Sequence, residues 1–131
     1  MSKLSMSLSV SVEGGARISL PSDLIDAEAT SYIDVNLAPG DTDVVVEVQP
    51  SASSQLHLLV ISSSLYSPDL TYVFSDGTTD AASTVTLDAP HLYSAGNLGA
   101  VGVDANQVKL SLAPAGAETT VTIFVARDAT P

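Results

Sequence analysis

Residues 4–12 read LSMSLSVSV, with apolar Leu4, Met6, Leu8, Val10 and Val12 alternating strictly with Ser5, Ser7, Ser9 and Ser11. A period of two is the signature of a strand with one apolar face and one wet face. The same period returns in ARISL at Ala16, Ile18 and Leu20, and in YIDVNL at Ile33, Val35 and Leu37. It recurs at Val44, Val46 and Val48, at Val85 and Leu87, at Val108, Leu110 and Leu112, and at Val121, Ile123 and Val125. LTYVFS (70–75) is a further strand after a Ser-Pro turn. LHLLVIS (56–62) is almost continuously apolar, which predicts a strand covered on both faces, or with one face against a partner.

Turn residues punctuate these runs. Glu13-Gly14-Gly15 predicts a turn, Pro21 is expected to stop the second strand, and Pro39-Gly40-Asp41 and Pro50 end the next two. SDLIDAEAT (22–30) is the one predicted helix, one or two turns long, with Ser22 or Asp23 as its cap. DGTTDAAS (76–83) reads as a hairpin-like loop and APAGAE as a turn, while the long connection from Pro90 to Asn106 carries no clear element. Eight or nine short strands, broken every 8–15 residues, predict an all-β, antiparallel two-sheet sandwich, jelly-roll-like, as one domain over residues 1–131. Other Greek-key sandwiches share this spacing, and strand order in space is not encoded in it.

Composition narrows the possible partners. Four basic residues, Lys3, Arg17, Lys109 and Arg127, face fifteen acidic ones, a net charge of −11. No basic footprint exists to displace counterions, so nucleic acid is not an expected partner, and anionic membrane surfaces repel such a chain. Charged residues are only 15% of the chain, against about 25% in an average domain, and Ser and Thr supply much of the polar surface. A weakly charged, hydroxyl-rich surface lies against another protein at little desolvation cost. With no Cys, thiolate metal sites and disulfides are excluded. Serine interrupts the apolar positions of 4–12, so no signal peptide is expected, and no run approaches a membrane span.

Candidate chemistry is sparse. Asp41/Asp43 and Asp76/Asp80 put carboxylates on turns, where calcium finds oxygens but where Asp also bonds its own backbone; no EF-hand pattern is present. His57 and His91 are the only histidines and have no metal-ligand spacing. G-x-S-x-G is absent, and the glycines of GNLGAVG (96–102) lack dinucleotide-fingerprint spacing. No catalytic residue, metal or cofactor is expected. Tyr66, Tyr72 and Tyr93 are candidates for an aromatic sugar-binding platform, which keeps a carbohydrate-binding or adhesin-type module as the alternative function.

The whole-chain profile, a small Cys-free and Trp-free acidic sandwich rich in Ser, Thr, Ala and Val, resembles the decoration (cement) proteins of tailed-bacteriophage capsids. LSMSLSVSV and TTVTIFVAR are its most typical parts. The resemblance implies a non-enzymatic structural subunit on the capsid exterior. Its partner would be the major capsid protein or other virion subunits; it would bridge neighbouring capsomers and act as a dimer or trimer. In that setting Ser5, Ser7, Ser9 and Ser11, with Leu8 and Val10, are the candidate interface. Small hydroxyls let the strand approach another polypeptide closely while keeping water satisfied before assembly. An ordinary sandwich strand with a serine-rich wet face is the other reading of the same residues.

Overall fold

A computed structural model of the chain describes residues 2–11, 13–27, 29–48, 56–94 and 101–128, with 2–11 and 17–27 described by backbone and pairing. Ten strands are present among them, and no helix. Val12, Pro50, Gly96 and Gly99, singled out above, lie outside the described residues.

Eight strands build the sandwich. They are β3 (Ala29–Leu37), β4 (Val44–Glu47), β5 (Leu56–Ser63), β6 (Leu70–Ser75), β7 (Val85–Thr86), β8 (His91–Ser94), β9 (Gln107–Leu112) and β10 (Thr119–Arg127). One sheet has the order β3-β10-β5-β8 and the other β4-β9-β6-β7, with every pairing antiparallel. Counted from β3, these are the first, eighth, third and sixth strands in one sheet and the second, seventh, fourth and fifth in the other. That order is a jelly roll, two interleaved Greek keys. Within the two sheets of the sandwich, among the described strands, only β6 and β7 are consecutive neighbours in one sheet.

Cross-strand rows explain why these segments pair as they do. In the first sheet Ile33, Ile123 and Ile61 stand opposite one another across β3, β10 and β5, and Val125 stands opposite Leu59. In the second, Val44, Leu110 and Tyr72 form a row, and Val46, Val108 and Phe74 the next. These inward positions make one continuous core between the sheets. Burial alternates along β3 and along β9, as a sheet with one wet face requires. β5 lies inside its sheet; Leu58 and Leu59, successive and so on opposite faces, are both buried, while Val60 on the outer face is only half-buried.

Residues 22–30 are the main departure from expectation. They form no helix. β2 runs unbroken from Arg17 to Ala27 and pairs antiparallel with β1 (Ser2–Ser11). Pro21 does not stop it either. The register shifts between Met6 and Leu8, so Pro21 and Ser22 face the single residue Ser7. Proline is tolerated at such a bulge because no ladder hydrogen bond is asked of it. Gly14, at φ 72°, takes the left-handed conformation in the connecting turn. The β1–β2 ribbon is a separate two-stranded sheet, hydrogen-bonded into neither face of the sandwich.

Ile123 sits at the centre of the inner row and is fully buried. Ile123→Ala is expected to lower unfolding stability by about 2–5 kcal/mol in urea titrations, with the strand signal in circular dichroism unchanged at zero denaturant.

Candidate functional site

The predicted interface residues all fall on β1 of the ribbon. Ser5 stands opposite Leu24, Leu8 opposite Leu20, Ser9 opposite Ser19, Val10 opposite Ile18 and Ser11 opposite Arg17, and Ser7 lies at the bulge. Strand alternation therefore gives the ribbon two unlike faces. One carries the positions of Leu4, Met6, Leu8, Val10, Ile18, Leu20, Ile25 and Ala27, together with Ser2 and Asp23. The other carries Lys3, Ser5, Ser9, Ser11, Arg17, Ser19, Leu24 and Asp26, with Ser7 at the bulge. The ribbon is also the least acidic part of the chain. Lys3 and Arg17 against Glu13, Asp23 and Asp26 leave residues 2–27 at −1, so −10 of the total −11 belongs to the rest.

Asp41 and Asp76 are used by their own turns, and Asp80 by Lys109 of β9. Asp41 accepts from the backbone N–H of Ala38 (2.9 Å). The Asp43 backbone N–H donates to Ser111 Oγ at 3.0 Å, and Asp43 has a positive φ of 50°. Asp76 Oδ1 accepts from the N–H groups of Thr79 (2.6 Å) and Thr78 (2.8 Å), which hold its carboxyl below the usual range. Lys109 Nζ lies 2.9 Å from Asp80, whose carboxyl is held low first by that lysine and then by Ser75. Among the described residues no three His, Cys, Asp or Glu side chains come together as a metal site.

The histidines are structural partners. His57 Nε2 is 2.7 Å from Asp128 Oδ1 at the edge of the core. His91 stands opposite Ile61, at the end of the inner row of the first sheet. From there its Nδ1 lies 2.7 Å from the Tyr72 hydroxyl, which comes from the opposite sheet. Tyr93, two residues on along β8, brings its own hydroxyl to 2.5 Å from the same oxygen. Asp88 lies 3.6 Å from the outer nitrogen of His91. Burial first, and then the Tyr93 hydroxyl, push the Tyr72 phenol far above its ordinary range, so it stays protonated and acts as a neutral inter-sheet bridge. Phe74 packs edge-on against both Tyr72 and Tyr93.

This cluster corrects the expected aromatic platform. Tyr72 is 1% exposed, and Tyr66 uses its hydroxyl to accept the Ser63 N–H. The three tyrosines therefore do not form an outward-facing surface. The bridge could not be read from the sequence, because its members lie 19 and 21 residues apart and meet only across the two sheets. Beside it is an open cleft of about 390 Å³, lined mainly by Phe74, Ala81, Ala82, Val85, Tyr93 and Val101.

The outward face of the first sheet is unexpectedly apolar. Tyr32, Phe124, Val60 and Leu92 stand opposite one another in a single row across β3, β10, β5 and β8. Tyr32 is 76% and Leu92 48% exposed. The Tyr32 and Phe124 rings sit 5.2 Å apart. The neighbouring row is polar, with Thr122 donating to Asp34 at 2.8 Å.

Comparison of the chain with protein-family models, with curated proteins and with solved structures yields no match.

Two outcomes follow from the buried bridge and the acidic turns. Tyr72→Phe leaves His91 and Tyr93 without their shared partner, and is expected to cost about 1–3 kcal/mol in urea unfolding. Asp76 and Asp80 hold fewer protons folded than unfolded. Their contribution is therefore present above the ordinary carboxylate range and lost as pH falls through it, from roughly pH 4 downward. The difference in melting temperature between the wild type and an Asp76→Asn/Asp80→Asn variant should be open at about pH 6 and close toward about pH 3.

Proposed function

We propose that the chain is a non-enzymatic structural protein that decorates a viral capsid and stabilises it by bridging neighbouring capsid subunits. The observation that carries this reading is the β1–β2 ribbon, which belongs to neither sheet of the jelly roll. A lone two-stranded ribbon is marginal in water and gains stability from a surface to lie on. An arm of this kind, attached to a self-sufficient sandwich, suits a subunit that reaches from its own seat to a neighbour. Jelly rolls recur in capsid proteins, which supports the reading by analogy of fold.

The surface chemistry points the same way. Charge is scarce for a free-standing protein, and the carboxylates of Asp41, Asp76 and Asp80 and both histidines serve the fold. The serine face of the ribbon, with Lys3 and Arg17 at its two ends, is the part offered to the capsid. Its hydroxyls bury cheaply where they find hydrogen bonds.

Ser7→Lys/Ser9→Lys places two charges in the middle of that face. The variant is expected to fold normally, with an unchanged melting temperature. It should bind its parent particle more weakly by about 3 kcal/mol or more, over a hundredfold, in co-sedimentation. Equal co-sedimentation of variant and wild type, or a wild-type protein recovered entirely free of particles from its source, overturns the reading.

A further inference from the structure

We propose that Asp88, His91, Tyr72 and Tyr93 form a hydrogen-bond relay whose direction reverses when His91 takes up a proton. Acidity at the outer side of His91 is thereby registered at Tyr93, in the lining of the cleft. The relay uses residues of the jelly roll alone, and it holds whether or not the chain serves on a capsid.

The geometry leaves the hydrogens few choices. His91 Nδ1 is 2.7 Å from Tyr72 Oη, and Tyr93 Oη is 2.5 Å from the same oxygen. Each phenol has one hydrogen to give, and a neutral imidazole carries its hydrogen on one nitrogen only. Were that nitrogen Nδ1, the lone pair of Nε2 would face the Asp88 carboxylate, 3.6 Å away. The neutral ring therefore holds its hydrogen on Nε2. Nδ1 accepts from Tyr72, and Tyr72 in turn accepts from Tyr93. Two hydrogens fill two links, and both point toward His91.

Protonation inverts this order. The imidazolium donates from both nitrogens. Its Nε2–H still faces Asp88, now as an ion pair. Its Nδ1–H donates to Tyr72 Oη, so the Tyr72 hydrogen turns to Tyr93 Oη and the Tyr93 hydrogen turns away. One proton comes from solvent, one N–H bond forms at Nδ1, and each hydroxyl keeps one hydrogen. Both links stay filled, so the inter-sheet bridge survives in either state. The far end is what changes. Tyr93 goes from a hydrogen engaged by Tyr72 to one with no protein acceptor among the described residues.

Burial and access fit such a device. Tyr72 is buried and its phenol stays protonated, so ionisation does not break the chain in the middle. The His91 side chain is 22% exposed and that of Asp88 71%, so the proton enters from outside. The groups that face the ring are Asp88 from the β7–β8 connection, Tyr72 from β6, Tyr93 from β8 and the uncharged Ile61 from β5. Asp88 is the one carboxylate paired with it among the described residues. His57 has no such relay, since it pairs directly with Asp128 and meets no hydroxyl among the described residues.

Magnetic resonance of the full chain, with nitrogen-labelled histidine and carbon-labelled tyrosine, tests the relay between roughly pH 5 and 8, where imidazoles change charge. The chain has two histidines, and His57→Gln tells their signals apart. At the alkaline end His91 is expected to carry its hydrogen on Nε2 and none on Nδ1. As pH falls, the Cζ signal of Tyr93 is expected to move in one step, at the same pH as His91. Tyr72→Phe removes the middle hydroxyl and is expected to abolish the Tyr93 step while His91 still titrates. A charge acting through space would leave that step in place. Asp88→Asn changes an exposed position and keeps every hydroxyl, and in it Tyr93 and His91 are expected still to step at one shared pH. A hydrogen on Nδ1 at the alkaline end overturns the proposal, as does a His91 that stays neutral to about pH 5. A Tyr93 signal that does not follow His91, in the wild type or in Asp88→Asn, also overturns it. So does a Tyr93 step that persists in Tyr72→Phe.

Discussion

The sandwich depends on one polar demand inside an apolar slab. Tyr72 stands in the middle of the second sheet with its ring in the core, and its hydroxyl is withdrawn from the surface. Burying that group unpaired would cost a large part of the stability of a domain this size. β8 meets the demand. Alternation along the strand turns His91 and Tyr93 inward together, and both reach the same oxygen. The bridge ties the edge of one sheet to the middle of the other, in register with the rows centred on Ile123 and Leu110. It therefore holds the two sheets at one relative position, where apolar contacts alone would tolerate sliding.

Away from the core, polar groups are spent on geometry. Thr119 is buried, and its hydroxyl meets Ser63, Ser64 and the Leu65 carbonyl, closing the end of the first sheet where β5 leaves it. Asp41 and Asp76 draw in backbone N–H groups of their own turns, and Asp80 fastens the β6–β7 loop to Lys109 on β9. An acidic chain keeps its carboxylates near the surface in this way without building a concentrated ligand cluster among the described residues. The remaining distinctive surfaces are apolar or hydroxylic. They are the row centred on Tyr32 and Phe124, and the two faces of the ribbon. Such surfaces suit contact with protein, since they demand little desolvation of charge.

Fold class was legible in the sequence because period-two alternation reports directly on half-buried strands, and Gly and Pro report on turns. Strand-by-strand, the alternations at Ile33–Leu37, Val44–Val48, Val108–Leu112 and Val121–Val125 all correspond to strands or their immediate ends. Residues 22–30 were not legible in the same way. Ser22 and Asp23 look like a helix cap, and Leu24-Ile25 with Ala27 suits a short helix as well as a strand. The preference of so few residues is weak, and pairing along β1 overrides it. Pro21 reads locally as a stop, and becomes compatible with a strand only where a partner's register supplies a bulge.

The sequence by itself determined the inward positions of the alternating aliphatic runs, most of the turns between them, and that the chain is acidic yet poorly charged. These are properties of neighbours along the chain, and alternation or local backbone preference records them. Only the tertiary structure decided the jelly-roll order, the separation of the ribbon from the sandwich, the withdrawal of Tyr72 into the core and the alignment of Tyr32, Phe124, Val60 and Leu92 on one outer face. Each of these joins residues tens of positions apart through strand register or across two sheets. Such pairings are selected by the free energy of the whole packed core, which no local stretch of sequence carries.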